Sequence, residues 1–540
     1  MIYVRPTSLL AHRRQEEEEA SAASTGFLPV LRSSFPNLAP PGSSTLPLSS
    51  LQAALSLDAP TLTSESTPVP DHFHLILASL GKTLASLIFP KGDDGEIDWI
   101  GFLIGYNRCC ARMPVSQSVN LLYRLYAALC REASAPCGLE FDPDSDENDK
   151  VGGSLLPGEL LVLLWICWVM GHSSRIAKMP KGGKDPLVLP DVSHLLLSTF
   201  VSCGVVTEDE SIWRCDVAGI DKGVSAQKLQ TWVLTMVPGL SNCLVRYVQE
   251  RIRDFSTSAE SVSSSDLVSD DNSNGDVHDA YLLTRGRAWA VSLTQREKLS
   301  EELSSFQVNS WDLLYRQILS LSSIHGKGLS RFWSNVEGYN SSLFVLVSAS
   351  SEDSTEHNNP RRWIIGISTA QGFENKDSFF GSSGNLYAIN PIFRVFPPSG
   401  KEKNFLYCHL RPTIRVYEPN PKPVGLAFGG SIGNERIFID EDFAQVTVRH
   451  HAIDKTYQHG SLIPNQGFLP VEASVLEVEV WGFGGKAAKE KQDAFKNREN
   501  LFSEQRRKID LKTFANWEDS PEKMMMEMVS DPNKVRREDR

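Results

Sequence analysis

Val475-Leu476-Glu477-Val478-Glu479-Val480-Trp481 carries the pattern on which the fold turns. Successive side chains on a strand point to opposite faces, so Glu477 and Glu479 share one face and Leu476, Val478 and Val480 the other. We expect a strand with its apolar face in a core and its carboxylate face in water. Working outward, Leu343 to Ala349, Trp363 to Ser368, Asn385 to Asn390, Phe405 to His409, Gly425 to Phe428, Arg436 to Ile439 and Val446 to Arg449 also read as short strands. Many short strands punctuated by Gly and Pro point to a β-sandwich, with two helices near 295–304 and 310–320 packed against it.

Other motifs fall in a fixed order around these strands. Trp311-Asp312-Leu313-Leu314-Tyr315-Arg316 opens the region and Trp481-Gly482-Phe483-Gly484 closes it. Between them stand His325-Gly326-Lys327-Gly328, Phe379-Phe380-Gly381-Ser382, Phe428-Gly429-Gly430 and Ile437-Phe438-Ile439-Asp440-Glu441-Asp442-Phe443. The ordered set resembles a TLDc domain over roughly residues 285–485. That resemblance implies a eukaryotic binding and regulatory module, tied to oxidative-stress resistance and to the peripheral sector of the vacuolar-type proton pump, with no agreed catalytic site. Two departures stand out: a polar insert from Ser350 to Pro360, expected to protrude as a loop, and Phe443 where the turn after Asp442 would take a glycine.

Upstream the apolar period becomes helical. Phe73, Leu75, Ile76, Leu80, Leu84, Leu87 and Ile88 recur at three- and four-residue steps, as do Leu121, Leu122, Leu125 and Leu129. Further helices are expected over Ile97 to Cys110, Glu159 to Met170, Val192 to Val201, Lys228 to Val237 and Leu240 to Phe255, with Ser241 capping the last. The chain of 540 residues then divides into a Ser/Pro/Ala-rich disordered leader (1–70), a helical EF-hand-like domain (71–255), a polar linker (256–280), the TLDc domain (281–485) and a charged helix with tail (486–540). The fold class is α+β multidomain: an all-helical N-terminal domain, a TLDc β-sandwich with flanking helices, and a C-terminal helix.

Composition narrows the function. A net charge of −12 argues against a broad phosphate-binding face, so no nucleic acid is expected. Nine cysteines, an odd number in a long chain, read as reduced thiols in a cytoplasmic protein. Leu160 to Met170 is about half the roughly 20 apolar residues a membrane span needs. Ile2 does not fit the lipidation motif, which needs glycine after the initiator methionine. Membrane association, if any, is expected to be indirect.

Candidate chemistry is sparse. Asp142 to Asp149 has carboxylates at positions one, three and five of a calcium loop, but Glu147 stands where glycine is needed and Gly153 where a bidentate glutamate belongs. Cys215 to Ser225 offers Asp216 and Asp221 alone, an EF-hand shape without its ligands. His450 and His451, adjacent on an extended segment, point apart and suit no shared metal, and His325 sits in a glycine turn without a nucleophile. Cys408 belongs to a strand core, and Asp440-Glu441-Asp442 to a strand end. Gly425 to Gly433 and Gly484-Gly485-Lys486 lack nucleotide-loop spacing. No catalytic residue, metal or cofactor is assigned.

From Lys486 onward Ala487, Ala494, Phe495, Leu501, Phe502 and Ile509 form a narrow apolar stripe on a charged helix. It either docks on its own domain or offers Phe495, Leu501, Phe502 and Ile509 to a partner groove. The whole layout resembles the mTOR-associated TLDc subgroup, which implies a non-enzymatic adaptor in stress or nutrient response. The implied partner is the vacuolar-type ATPase, at the lysosomal or vacuolar membrane. An alternative is oxidative-stress protection by weak catalysis or thiol oxidation. A nuclear or nucleolar role through Arg506-Arg507-Lys508 and the basic tail ranks last.

Overall fold

The fold is taken from a computed structural model that describes residues 6–58, 61–92, 95–141, 151–178, 186–256, 281–294, 311–319, 325–351, 361–411, 419 and 421–517. The linker expected at 256–280, the helix expected at 295–304, the acidic loop from Asp142, most of the insert after Ser350 and the tail beyond Trp517 lie almost wholly outside the described residues.

The first half is helical: α1 (Pro6–Ser24), α2 (Leu28–Leu38), α3 (Leu48–Ala54), α4 (His72–Ile88), α5 (Trp99–Cys110), α6 (Val115–Glu132), α7 (Pro157–Gly171), α8 (Ser173–Ala177), α9 (Ser193–Ser202), α10 (Ala226–Met236) and α11 (Asn242–Arg253). The α7 helix is apolar all round because it is buried all round, from Leu160 to Met170. Ser241 does not cap α11: its side chain makes no capping bond. A 3-10 turn, Pro238–Ser241, runs directly into the helix, so the first amides follow carbonyls already in helical array.

Residues 6–54 correct the expectation of a disordered leader. Phe27, Leu31, Leu38, Leu51 and Leu55 are buried, Phe27 stacks on Tyr106 at 5.6 Å, Ser34 Oγ donates to Ile252 O at 2.9 Å, and Tyr247 Oη donates to Leu55 O at 2.6 Å. The segment has too few apolar residues to bury one another. Helices far along the chain supply the missing surface.

Short strands join the helices. Leu46–Pro47 (β1) pairs with Glu96–Ile97 (β3), Leu62–Ser64 (β2) with Leu187–Leu189 (β6), and Leu139–Phe141 (β4), Val151–Leu155 (β5) and Val224–Ser225 (β7) form a three-stranded patch.

After the linker α12 (Arg285–Ser292) leads into one antiparallel sheet of eleven strands. They are β8 (Asp312–Ile318), β9 (Leu343–Ser351), β10 (Arg361–Thr369), β11 (Lys376–Phe380), β12 (Ser383–Asn390), β13 (Arg394–Phe396), β14 (Leu406–His409), β15 (Gly425–Ser431), β16 (Asn434–Asp440), β17 (Gln445–Val448) and β18 (Val471–Gly482), with α13 (Leu329–Val336) between β8 and β9. The order is β11-β14-β15-β16-β17-β18-β9-β10-β12-β13, and β8 joins the far half of β18. The two layers of the expected sandwich are thus one continuous sheet curled on itself. The helix expected at 310–320 is strand β8: Leu314 to Gln317 are buried consecutively, as in a strand covered on both faces, and that run obscures the period of two.

Both faces of the central strands are apolar. Val345, Val347, Ile365, Ile367, Leu386 and Ala388 point into the curl, while Phe344, Leu346, Ile364, Tyr387, Ile389 and Trp481 join the core of the helical half. Ser198 of α9 donates to Phe393 O at 2.6 Å and accepts from Trp232 Nε1 at 3.0 Å. Arg394 forms a forked pair with Glu208. The helical half is therefore built onto the sheet's outer face. Where β16 turns toward β17, Phe443 occupies the left-handed region at φ 53°. That conformation costs roughly 1–2 kcal/mol, which its buried ring, edge-on to Tyr315 and inclined to Phe332, offsets.

Candidate interaction site

Two arrangements at the end of β18 stand apart from simple packing. The first is where α14 (Gly485–Trp517) leaves the sheet. A helix end leaves its last carbonyls without intrahelical partners, and α13 ends there. Gln492, fully buried, donates to Asn335 O at 2.8 Å and Glu337 O at 3.1 Å, and Lys496 Nζ donates to Asn335 O at 3.0 Å. The lysine also places positive charge at the negative end of the α13 dipole. Burial, reinforced by Lys489, lowers the Lys496 pKa, and burial beside Glu499 raises that of Glu337.

Phe495 lies against Gly338, which has φ +79°, and a Cβ there would come 2.5 Å from Phe495 Cδ1. Glycine is thus needed twice, for the left-handed turn and for the ring's approach. Tyr339 Oη accepts from Gly484 N at 2.7 Å and holds the helix start. Beyond this seat the helix changes character, because every residue from Asn497 to Lys508 is exposed, with Leu501 at 61% and Phe502 at 53%. From Asn497 to Lys508 the exposed part extends about 18 Å at 1.5 Å per residue.

The four apolar residues expected to meet a partner therefore separate. Phe495 serves the internal seat, Leu501 and Phe502 face outward, and the side chain of Ile509 lies outside the described part of the helix.

The second arrangement overturns the expectation of a wet face on β18. Glu479 is fully buried. Its carboxylate accepts from Leu282 N at 2.8 Å, Leu283 N at 3.1 Å and Trp481 Nε1 at 2.9 Å. Arg316 Nε lies 2.7 Å from Glu477 and 3.4 Å from Glu479, and its guanidinium covers the Tyr281 ring at 4.4 Å. One guanidinium thus stands between two carboxylates. Burial outweighs the hydrogen bonds and, with Glu477 adding to it, pushes the Glu479 pKa up to about 7. The cluster holds the first residues after the linker onto the sheet, and sequence alternation alone could not reveal it because the covering Leu282 and Leu283 lie 197 and 196 residues away.

The other residues weighed from sequence have structural occupations. Cys408 is buried and its thiol pKa is pushed up to about 12 by burial. His325 Nδ1 accepts from Arg316 N at 3.0 Å. Asp440 Oδ1 accepts from Ala444 N and Gln445 N and so closes its turn, while Glu441 pairs with Arg411 at 2.5 Å. His450 stacks on Phe468 at 4.8 Å, and His451 turns toward Asp454 at 3.7 Å. Asp216 accepts from Ala218 N at the start of a 3-10 turn. Among the described residues no group of three or more His, Cys, Asp or Glu could hold a metal ion, and no helix is long and apolar enough to cross a membrane. Sequence reading missed Arg436, fully buried, whose guanidinium bonds Asp454 at 2.6 Å, Gln458 O at 2.9 Å and Gly460 O at 2.7 Å.

Residues 290–484 match the TLDc domain family model. The curled sheet, from α12 through β18, is therefore a TLDc domain, and the protein is one that carries such a domain behind a helical region. A comparison with curated proteins gives no match.

Proposed function

We propose that the protein is a non-enzymatic adaptor that grips a protein assembly with the projecting half of α14 and the adjoining TLDc surface. The observation that carries this reading is the division of one helix into a seated half, fixed by Gln492, Phe495 and Lys496, and a half presenting Leu501 and Phe502 to solvent. Exposed large apolar side chains on an amphipathic helix are the usual anchors for a partner groove. The assembly is proposed to be the peripheral sector of the vacuolar-type ATPase, which would bring the protein to a lysosomal or vacuolar membrane. The layout of helical region, TLDc domain and charged helix supports placement in the mTOR-associated subgroup.

The test is equilibrium binding of the full chain to that isolated sector, with Leu501→Asp and Phe502→Asp introduced together. Each anchor buried in a groove contributes about 1.5–3 kcal/mol, so the pair should weaken binding on the order of a hundredfold or more. Unchanged affinity would remove the helix from the mechanism. The alternative, protection through oxidation of the domain's own thiol, finds little support in Cys408, whose burial and raised pKa leave almost no thiolate at neutral pH.

A further inference from the structure

The three most exposed large apolar side chains among the described residues come from one connection, the loop between β17 and β18: Ile453 at 86%, Leu469 at 81% and Phe468 at 69%. Side chains this bare project from the surface and line no groove. The loop that carries them is braced. Arg436, buried on β16, donates to Asp454 at 2.6 Å, Gln458 O at 2.9 Å and Gly460 O at 2.7 Å, and Asp454 Oδ1 accepts from Thr456 N at 2.7 Å. Gln466 Nε2 donates to Val448 O at 3.0 Å, and the Phe468 ring stacks on His450 at 4.8 Å. The tips are ordered when the domain folds, so a partner need not order them on binding.

Strand register places two more turns at the same end of the sheet. Val448 pairs with Val471 and Ile437, and the β15–β16 hairpin turns at Ser431 and Asn434, with Ile432 exposed between them. The turn entering β14 joins them, because Ser399 N donates to Thr456 O at 2.8 Å and Ser399 Oγ donates to Lys455 O. That turn carries Lys401 and Lys403, exposed like Lys455. The pairs Arg436–Asp454 and Arg449–Glu435 are neutral. Three exposed lysines then stand against two carboxylates: Glu402, folded back on the amides of Lys403 and Asn404, and Glu472, exposed on β18. This end is locally positive on a chain of net charge −12. Charges farther off than about 8 Å are largely screened at physiological ionic strength, so a surface meeting the tips feels the local set.

We propose that this end of the curled sheet docks directly on an anionic lipid bilayer, with Ile453, Phe468 and Leu469 entering the acyl boundary and Lys401, Lys403 and Lys455 meeting the head groups. A bilayer suits projecting tips because it supplies apolar depth without a preformed groove, and anionic head groups complement the lysines. Such docking needs no spanning helix, and it goes beyond the indirect membrane association expected from sequence. It does not rest on the adaptor reading either: α14 starts beyond the opposite end of β18, roughly 35 Å away along a strand of 12 residues.

The experiment is flotation of the full chain with vesicles of phosphatidylcholine, alone or with about 30% phosphatidylserine, over a range of lipid concentrations. The vesicles carry no protein, so failure here leaves the adaptor reading untouched. The expected result is binding to the anionic vesicles and much weaker binding to the neutral ones. Phe468→Asp with Leu469→Asp should weaken anionic binding at least about tenfold. Lys401→Gln with Lys455→Gln should weaken it about fivefold for each lysine, a difference that high salt removes. Flotation with neither vesicle, equal flotation with both, or unchanged binding by either variant would overturn the proposal. So would a concentration-dependent dimer, measured by sedimentation, that the aspartate pair abolishes while vesicles capture nothing; the patch would then belong to a second copy of this chain.

Discussion

Replacing Glu479 by glutamine should change how the seam between linker and sheet responds to pH. In the folded protein burial lifts the Glu479 pKa from 4.5 to about 7, so the folded state binds this proton more tightly than the unfolded chain does. Stability from this group is therefore greatest at acid pH and is lost as pH rises from about 4.5 through about 7; above that the buried charge carries its full penalty. A displacement of this size corresponds to about 3 kcal/mol at 1.36 kcal/mol per pH unit. Glu479→Gln removes the titration while keeping one acceptor oxygen for the amides of Leu282 and Leu283. Exchange of those two amides is the fitting assay, because a chain with several packed regions does not unfold in one step. Between pH 5 and 8, after correction for intrinsic exchange, wild-type protection should fall by up to about 3 kcal/mol relative to the glutamine variant. The comparison is one of slopes, since the variant's amide group repels a donor at every pH. Parallel slopes, or wild-type protection that rises with pH relative to the variant, would refute the reasoning.

Glu477→Gln leaves Arg316 to Glu479 alone and should move the same transition to lower pH, visible in the same exchange profile. Asp454→Asn strands the buried Arg436 and should destabilise the sheet by about 3–5 kcal/mol, measured by urea unfolding. The wild-type margin has a pH window of its own. Burial opposes ionisation of Asp454, but the neighbouring His451 ring and hydrogen bonds from Thr456 and Arg436 hold its pKa well below the usual carboxylate range, so its stabilisation is present above the unfolded value near 3.8 and fades as pH falls. Gly338→Ala combines a left-handed residue with a Cβ 2.5 Å from Phe495 and should cost about 1–3 kcal/mol. Its signature is faster amide exchange from Lys486 to Lys496 with the central strands unchanged; uniform loss of protection would show that the seat is not a local unit.

The strands of the TLDc domain were legible wherever one or both faces carried a plain apolar pattern, as in Leu343 to Ala349 and Arg436 to Ile439. Strand β8 was not, because Tyr315, Arg316 and Gln317 are all buried, polar atoms included, and no local period distinguishes such a run from a helix. Glu479 was misread for a related reason. Alternation reports which residues share a face but not whether a distant segment covers it, and Tyr281 to Leu283 arrive from beyond the linker. The early helices failed a composition test that asks whether a segment can bury itself, when Phe27 and Leu55 are buried by helices later in the chain. The apolar stripe on α14 was visible, but its division at about residue 496 was not, since that depends on the carbonyls of Asn335 and Glu337.

The central claim concerns the outer half of α14. A photo-crosslinking residue at position 502 of the full chain, irradiated in cells, tests it most directly, with position 488, packed against the sheet's core, as the comparison. The account predicts an adduct with a subunit of the vacuolar-type ATPase from position 502 and little from 488. Crosslinks from 502 solely to the protein's own chain would mean that the helix folds back on its parent, contradicting the adaptor mechanism.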